Sequence, residues 1–172
     1  INPWEKKQPY NESVRIPFIV RWPNHIAPGT INDTAFGAQD ILPSFMRMCD
    51  IPDEEYPFDG EDLSRYLLGE DTQPNAATVF MMNFIPEYDY FSDGNEWRAV
   101  KSKDFTFIRW LDGKEALYHD AHDPYQLTDV SDDLEYAAPK AFLQNELKTY
   151  LAELDDEFLP GSAYTQWFDN ER

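Results

Sequence analysis

The sequence predicts a mixed α/β chain. One strand and one helix of a large, mostly parallel sheet come first. An α+β part follows, a small antiparallel sheet covered by a long C-terminal helix. Three observations carry this reading. Ile16 to Trp22 is an apolar run broken by Arg21 and ended by Pro23, the pattern of a strand buried on both faces. Between Trp97 and Tyr118, runs of strand formers flank Asp112-Gly113, a hairpin-turn signal. Leu143, Leu147, Tyr150, Leu151, Leu154 and Phe158 recur at i, i+4, i+7, i+8, i+11 and i+15, one apolar helix face.

The elements follow in order. Residues 1–15 read as a loop turning near Gln8-Pro9, and residues 24–34 as a surface loop around Pro28-Gly29. A helix starts near Gln39 or Asp40, with Ile41, Leu42, Phe45, Met46 and Cys49 on one side and Pro43 tolerated in its first turn. Residues 50–78 are rich in Asp, Glu, Pro and Gly. Thr78 to Phe84 reads as a strand, and 85–96 as an aromatic, acidic loop. Strands at 97–102, 104–111 and 115–118 form an antiparallel meander. Pro139 fits the first turn of the last helix, and Pro160-Gly161 its end. A boundary near the 70–75 loop divides the chain into 1–78 and 79–172.

Composition narrows the classes. Of 172 residues, 42% are hydrophobic and 16% aromatic, too many for a disordered acidic tail. The formal net charge of −19 repels nucleic acid and anionic membranes, and no apolar run has the length of a membrane span. The single cysteine, Cys49, rules out an internal disulfide and reads as a small buried helix residue rather than a nucleophile. The chain opens at Ile1 rather than a methionine and is expected to be a processed or truncated product.

Few residues invite chemistry. Lys6 and Lys7 form either a solvated pair or an anion contact at the rim of the Ile16 strand. Glu87, Tyr88, Tyr90, Trp97 and Arg98 gather polar and aromatic groups suited to stacking on a sugar. The bland alternative is a hairpin core with a solvated loop, favoured for Trp97 and Arg98. His119 and His122 beside Asp123-Pro124 have metal-like side chains, but read as surface turn residues. His25 reads as exposed. No metal ligand is assigned in this chain.

Lys6 followed by Tyr10-Asn11-Glu12-Ser13-Val14-Arg15-Ile16-Pro17 resembles the type I sulfatases, in which a lysine and a Tyr-x-Glu-Ser-x-Arg-x-Pro run sit at the sulfate pocket. Further blocks follow in that family's order. They are 37–52, Asp59-Gly60-Glu61-Asp62-Leu63 with Leu67-Leu68-Gly69, and Trp97 to Arg109, similar to Trp-Arg-x-Val-Arg-Thr. The last is Leu117-Tyr118 with Asp123-Pro124-Tyr125-Gln126, similar to Leu-Tyr-Asp…Asp-Pro-x-Glu. His119 departs from that last pattern.

The resemblance implies the C-terminal end of the catalytic α/β domain at 1–78 and the C-terminal subdomain at 79–172. It implies hydrolysis of a sulfate ester of a carbohydrate or aryl substrate. Hydrated formylglycine would attack sulfur, Ca²⁺ would polarise the sulfate, and Lys6 would offset developing charge. Lys7 takes that role if the register slips by one. The formylglycine motif and the Ca²⁺ ligands of the family lie upstream of the Lys6 block. The chain is therefore expected to need an N-terminal catalytic partner and to be inactive alone, with a periplasmic or extracellular location. Two rivals stand beside this reading. One is a related phosphodiesterase or phosphonate hydrolase, the other a non-catalytic glycan-binding module.

Overall fold

The structure is a computed structural model that describes residues 8–52, 57–70, 78–83 and 96–164. Its residues pack as two units, one built from 17–79 and one from 80–164 together with the segment before Pro17.

In the 17–79 unit, residues 17–22 form no strand, and Ile16, just before them, is 67% exposed and Ile19 90% exposed. The expectation of a buried strand is corrected for this chain. An apolar run supplies side chains for a core, but a ladder also needs partner strands, and among the described residues none pairs with it. Phe18 instead packs on Phe36, with ring centroids 4.7 Å apart.

The helix expected at this point forms as a 3-10 turn over Ala38–Asp40 that runs into α2, Ile41–Met48, with Pro43 in its first turn. (α1 is the single turn Asn11–Val14 described below.) Asp40 is buried. Its carboxylate accepts from Gly37 N (2.7 Å) and Glu61 N (2.9 Å). Ser44 Oγ accepts from Leu63 N at 2.9 Å. These bonds hold the Asp59–Leu63 segment against α2. The approach is close at Gly60, where a Cβ would stand 2.1 Å from the carbonyl oxygen of Gln39. Leu63 and the single turn α3, Ser64–Leu67, complete the contact. The expectation that Cys49 is buried is also corrected. The helix stops at Met48, Asp50 turns left-handed (φ 53°), and Cys49 at the cap is exposed.

The second unit holds a four-stranded sheet in the order β1 (Thr78–Asn83), β2 (Trp97–Ser102), β3 (Phe105–Trp110), β4 (Glu115–His119). The β2–β3 pairing sets Ala99 opposite Ile108, and β3–β4 sets Phe107 opposite Leu117. Gly113 takes φ 87° in the turn that joins β3 to β4. The antiparallel meander and its covering helix are as the sequence indicated.

Side chains alternate across this sheet. Val100, Phe107 and Leu117 face α4, Ala137–Glu153, and pack with Leu143 and Leu147. Trp97, Ala99, Ile108, Ala116 and Tyr118 line the opposite face, where Tyr10 and Val14 of the N-terminal segment cover them. The edge of β4 is blunted by residues 129–130. Leu117 N donates to Asp129 Oδ1 (3.0 Å), and Val130 N donates to Leu117 O (2.9 Å).

Helix α4 ends earlier than its periodicity implied. Asp155 turns left-handed (φ 51°), and Leu154 and Phe158 lie beyond the helix. The early end brings Asp156 to Arg98, a pairing that local periodicity does not encode.

Candidate active-site segment

The expected catalytic lysine, Lys6, and its rival Lys7 lie outside the described residues, as do Glu87, Tyr88 and Tyr90. The structure describes what holds the ends of both segments.

The segment after Lys6 enters the sheet through Pro9, which is fully buried. Tyr10 stands edge-on to Tyr118, with centroids 5.9 Å apart. Burial first, then the neighbouring Tyr10, push the Tyr118 phenol well above its ordinary value. The chain then makes the one-turn helix α1, Asn11–Val14, where Val14 N donates to Tyr10 O (3.0 Å) and Arg15 N to Asn11 O (2.9 Å).

Asn11 is 7% exposed and sits at the centre of a polar cluster. Its backbone N–H donates to Gln126 Oε1 at 2.7 Å. Its amide nitrogen donates to Asp120 Oδ1 (3.1 Å) and to the carbonyl of Pro124 (3.0 Å). Lys101 Nζ donates to Asn11 Oδ1 (3.0 Å), Thr106 Oγ1 (2.9 Å) and Asp120 Oδ2 (2.5 Å). Gln126 Nε2 donates to Asp120 Oδ1 at 2.8 Å. All three ammonium donors and both carboxylate oxygens are thereby engaged, as a charge pair largely removed from water requires.

The base of the 84–95 segment is held differently. Arg98 is fully buried. Its guanidinium forms a two-point ion pair with Asp156 (Nε to Oδ2 2.5 Å, Nη2 to Oδ1 3.1 Å). It also donates to the carbonyl of Asn83 (3.0 Å) and lies 4.6 Å from the centre of the Phe158 ring. Glu96 takes up Gly161 N through its carboxylate (2.5 Å), and its carbonyl accepts from Leu111 N (3.0 Å). Trp97, 4% exposed, belongs to the apolar cluster under Tyr10. Trp97 and Arg98, offered as sugar contacts with the hairpin-core reading favoured for both, are buried in the hairpin.

His119 is the last residue of β4. It is half-buried and stacks on Phe105, with centroids 4.4 Å apart and the exposed His122 at 4.0 Å. Among the described residues no group of three or more His, Cys, Asp or Glu is arranged to hold a metal ion, and no helix is long and apolar enough to cross a membrane. His25 is exposed against Trp22.

Sequence reasoning missed Asn11, Lys101, Asp120 and Gln126 as a set. Asn11 lies inside the Tyr-x-Glu-Ser-x-Arg run, Lys101 at the family's second arginine and Gln126 at its glutamate. Each position was visible, but no local spacing joins residues 90 to 115 apart.

This arrangement is that of a sulfatase C-terminal region. The model of the N-sulphoglucosamine sulphohydrolase C-terminal family matches residues 2–155, and the chain belongs to that family. It is 28% identical to an ulvan-active sulfatase of Formosa agariphila over 98% of this chain and 33% of that protein. It is 29% identical to an endo-4-O-sulfatase of Bacteroides thetaiotaomicron over 88% of this chain and 32% of that protein. The chain thus spans about a third of the length of these relatives.

Among solved structures, one in complex with its substrate D-glucosamine-2-N,6-O-disulfate shares the fold at TM-score 0.66. It is 21% identical and is matched over 87% of this chain and 30% of that one. A phosphonate monoester hydrolase of Agrobacterium radiobacter shares it at TM-score 0.51, 22% identity, 66% of this chain and 24% of that one. The fold by itself therefore does not separate sulfate from phosphonate chemistry.

Proposed function

We propose that this chain is the C-terminal portion of a longer protein that hydrolyses sulfate esters of a carbohydrate. The observation that carries the reading is the family match over 2–155, joined to relatives named for ulvan and for 4-O-sulfate. Lys6 serves as the cation that meets the sulfate as charge builds on the departing oxygen. Glu87, Tyr88 and Tyr90 contact the sugar, while Arg98 and Trp97 hold the strand that follows that loop. Ca²⁺, bound in the complete enzyme, would polarise the sulfate. The resemblance implies that its ligands come from the part of the protein that precedes this chain. The 172-residue chain alone turns nothing over, and the enzyme acts in the periplasm or outside the cell.

The test is an assay of the longer protein on a panel of sulfated saccharides, a phosphodiester and a phosphonate ester. Release of sulfate from a saccharide, with at most slow turnover of the phosphorus esters, is the expected result. Preference for the phosphonate, or turnover of sulfate esters by the isolated chain, overturns the reading.

A further inference from the structure

The Asn11 cluster is expensive for what it contributes to stability. A largely buried Lys–Asp pair loses hydration that its Coulomb energy barely recovers, and an apolar filling of the same space is often as stable. What such a cluster supplies is direction. Asn11 is held through its N–H, its amide nitrogen and its amide oxygen by groups from four places: Lys101 of β2, Asp120 just past β4, Pro124, and Gln126 beyond it. Thr106 of β3 braces the pair by hydrogen bonds to both Lys101 and Asp120 (2.9 and 2.6 Å). Gln126 adopts φ 54°, a left-handed conformation unusual for a side chain of its size, and is buried with its amide on Asn11 and Asp120. Tyr10 is pinned on the same side by Tyr118. Asn11 lies five positions after Lys6.

We propose that the Lys101–Asp120–Asn11–Gln126 cluster is a positioning device for Lys6. By fixing the backbone at residues 10–15 against the sheet, it sets where the Lys6 ammonium arrives at the sulfate. The inference rests on the assignment of Lys6 made above. Lys101 and Asp120 touch no substrate in this account. They act through Asn11.

The experiment uses the longer protein and a sulfated saccharide that it hydrolyses. Asn11→Ala removes three of the bonds and keeps the backbone one. Misplacing a charge-stabilising group by about an ångström costs up to a hundredfold, so kcat should fall by about tenfold or more. KM should stay within about threefold, because ground-state binding is little affected.

The decisive readout is the double variant. Lys6→Ala with Asn11→Ala should be no slower than Lys6→Ala alone, since the cluster then has nothing to aim. Gln126→Leu, which frees the Asn11 N–H and leaves the ion pair, should give the same pattern and serves where Asn11→Ala does not fold. Glu115→Gln, in a separate ion pair with Lys140, should leave kcat unchanged. Unchanged kcat in both cluster variants, or losses that multiply with that of Lys6→Ala, overturn the proposal while leaving the sulfatase reading intact. A silent Lys6→Ala in an active enzyme removes the Lys6 assignment, and this inference with it.

Discussion

The two faces of the four-stranded sheet are built for different ends. Toward α4 the sheet presents Val100, Phe107 and Leu117, which meet Leu143 and Leu147 in an apolar layer. Toward the N-terminal segment it presents Ala99 and Ala116 between larger rings, and beside them a partly buried lysine–aspartate–asparagine cluster. Small residues let the incoming chain lie close to the sheet, and the polar groups then decide its direction. The α4 face holds the unit together. The opposite face holds in place the segment that follows Lys6.

That contrast makes graded predictions. The largest loss of stability belongs to Asp156→Ala, which takes the carboxylate from a fully buried guanidinium. Unfolding by denaturant should show a loss of roughly 3–5 kcal/mol. A loss under 1 kcal/mol would mean that Arg98 finds other acceptors. Leu147→Ala should cost roughly 2–5 kcal/mol through the cavity it leaves under the sheet. Asn11→Ala should cost less stability than either, since its cost falls on turnover. If it unfolds the chain as readily as Leu147→Ala, the division of labour between the faces fails.

How much of this was legible before the structure depends on whether each feature is local. The meander could be read because alternation and Asp112-Gly113 are properties of adjacent residues. The start of α4 was marked by Pro139. Its end was hidden, because the chain turns out of the helix at Asp155 and Asp156 pairs with an arginine 58 positions away. Residues 16–22 carry a true strand composition, yet a strand exists only where another offers its edge. Cys49 looked like a core position only while the helix was assumed to continue past Met48. In the candidate site, the motif around Tyr10 announced a lysine and an anion. The cluster that anchors it was invisible, since its members come from the N-terminal turn, two strands and the turn after β4.

A smaller effect separates ordered from unpaired chain. Amide exchange should be faster across residues 16–22 than in Leu143–Leu151 of α4, because the former lack ladder partners among the described residues. Protection of 16–22 equal to that of α4 would mean that the segment is paired in solution.

The smallest effect is a pH dependence. The Tyr118 phenol is raised in the folded chain, first by burial and then by Tyr10. Above about pH 10 the unfolded chain loses this proton while the folded one keeps it, so stability declines as pH rises. Tyr118→Phe should flatten that alkaline slope and leave stability at neutral pH nearly unchanged. An unaltered slope would assign it to other groups.

The central claim is that the face opposite α4 carries the sulfate-binding segment. It is tested most directly by comparing Lys6→Ala with Lys7→Ala in the longer protein. Both remove one positive charge from the same loop. Loss of a charge-stabilising donor should lower kcat on the order of a hundredfold for Lys6→Ala, with KM changed less, while Lys7→Ala stays near wild type. If Lys7→Ala alone is slow, the register is displaced by one residue. If both variants turn over normally, the segment does not meet the sulfate and the account of this face is contradicted.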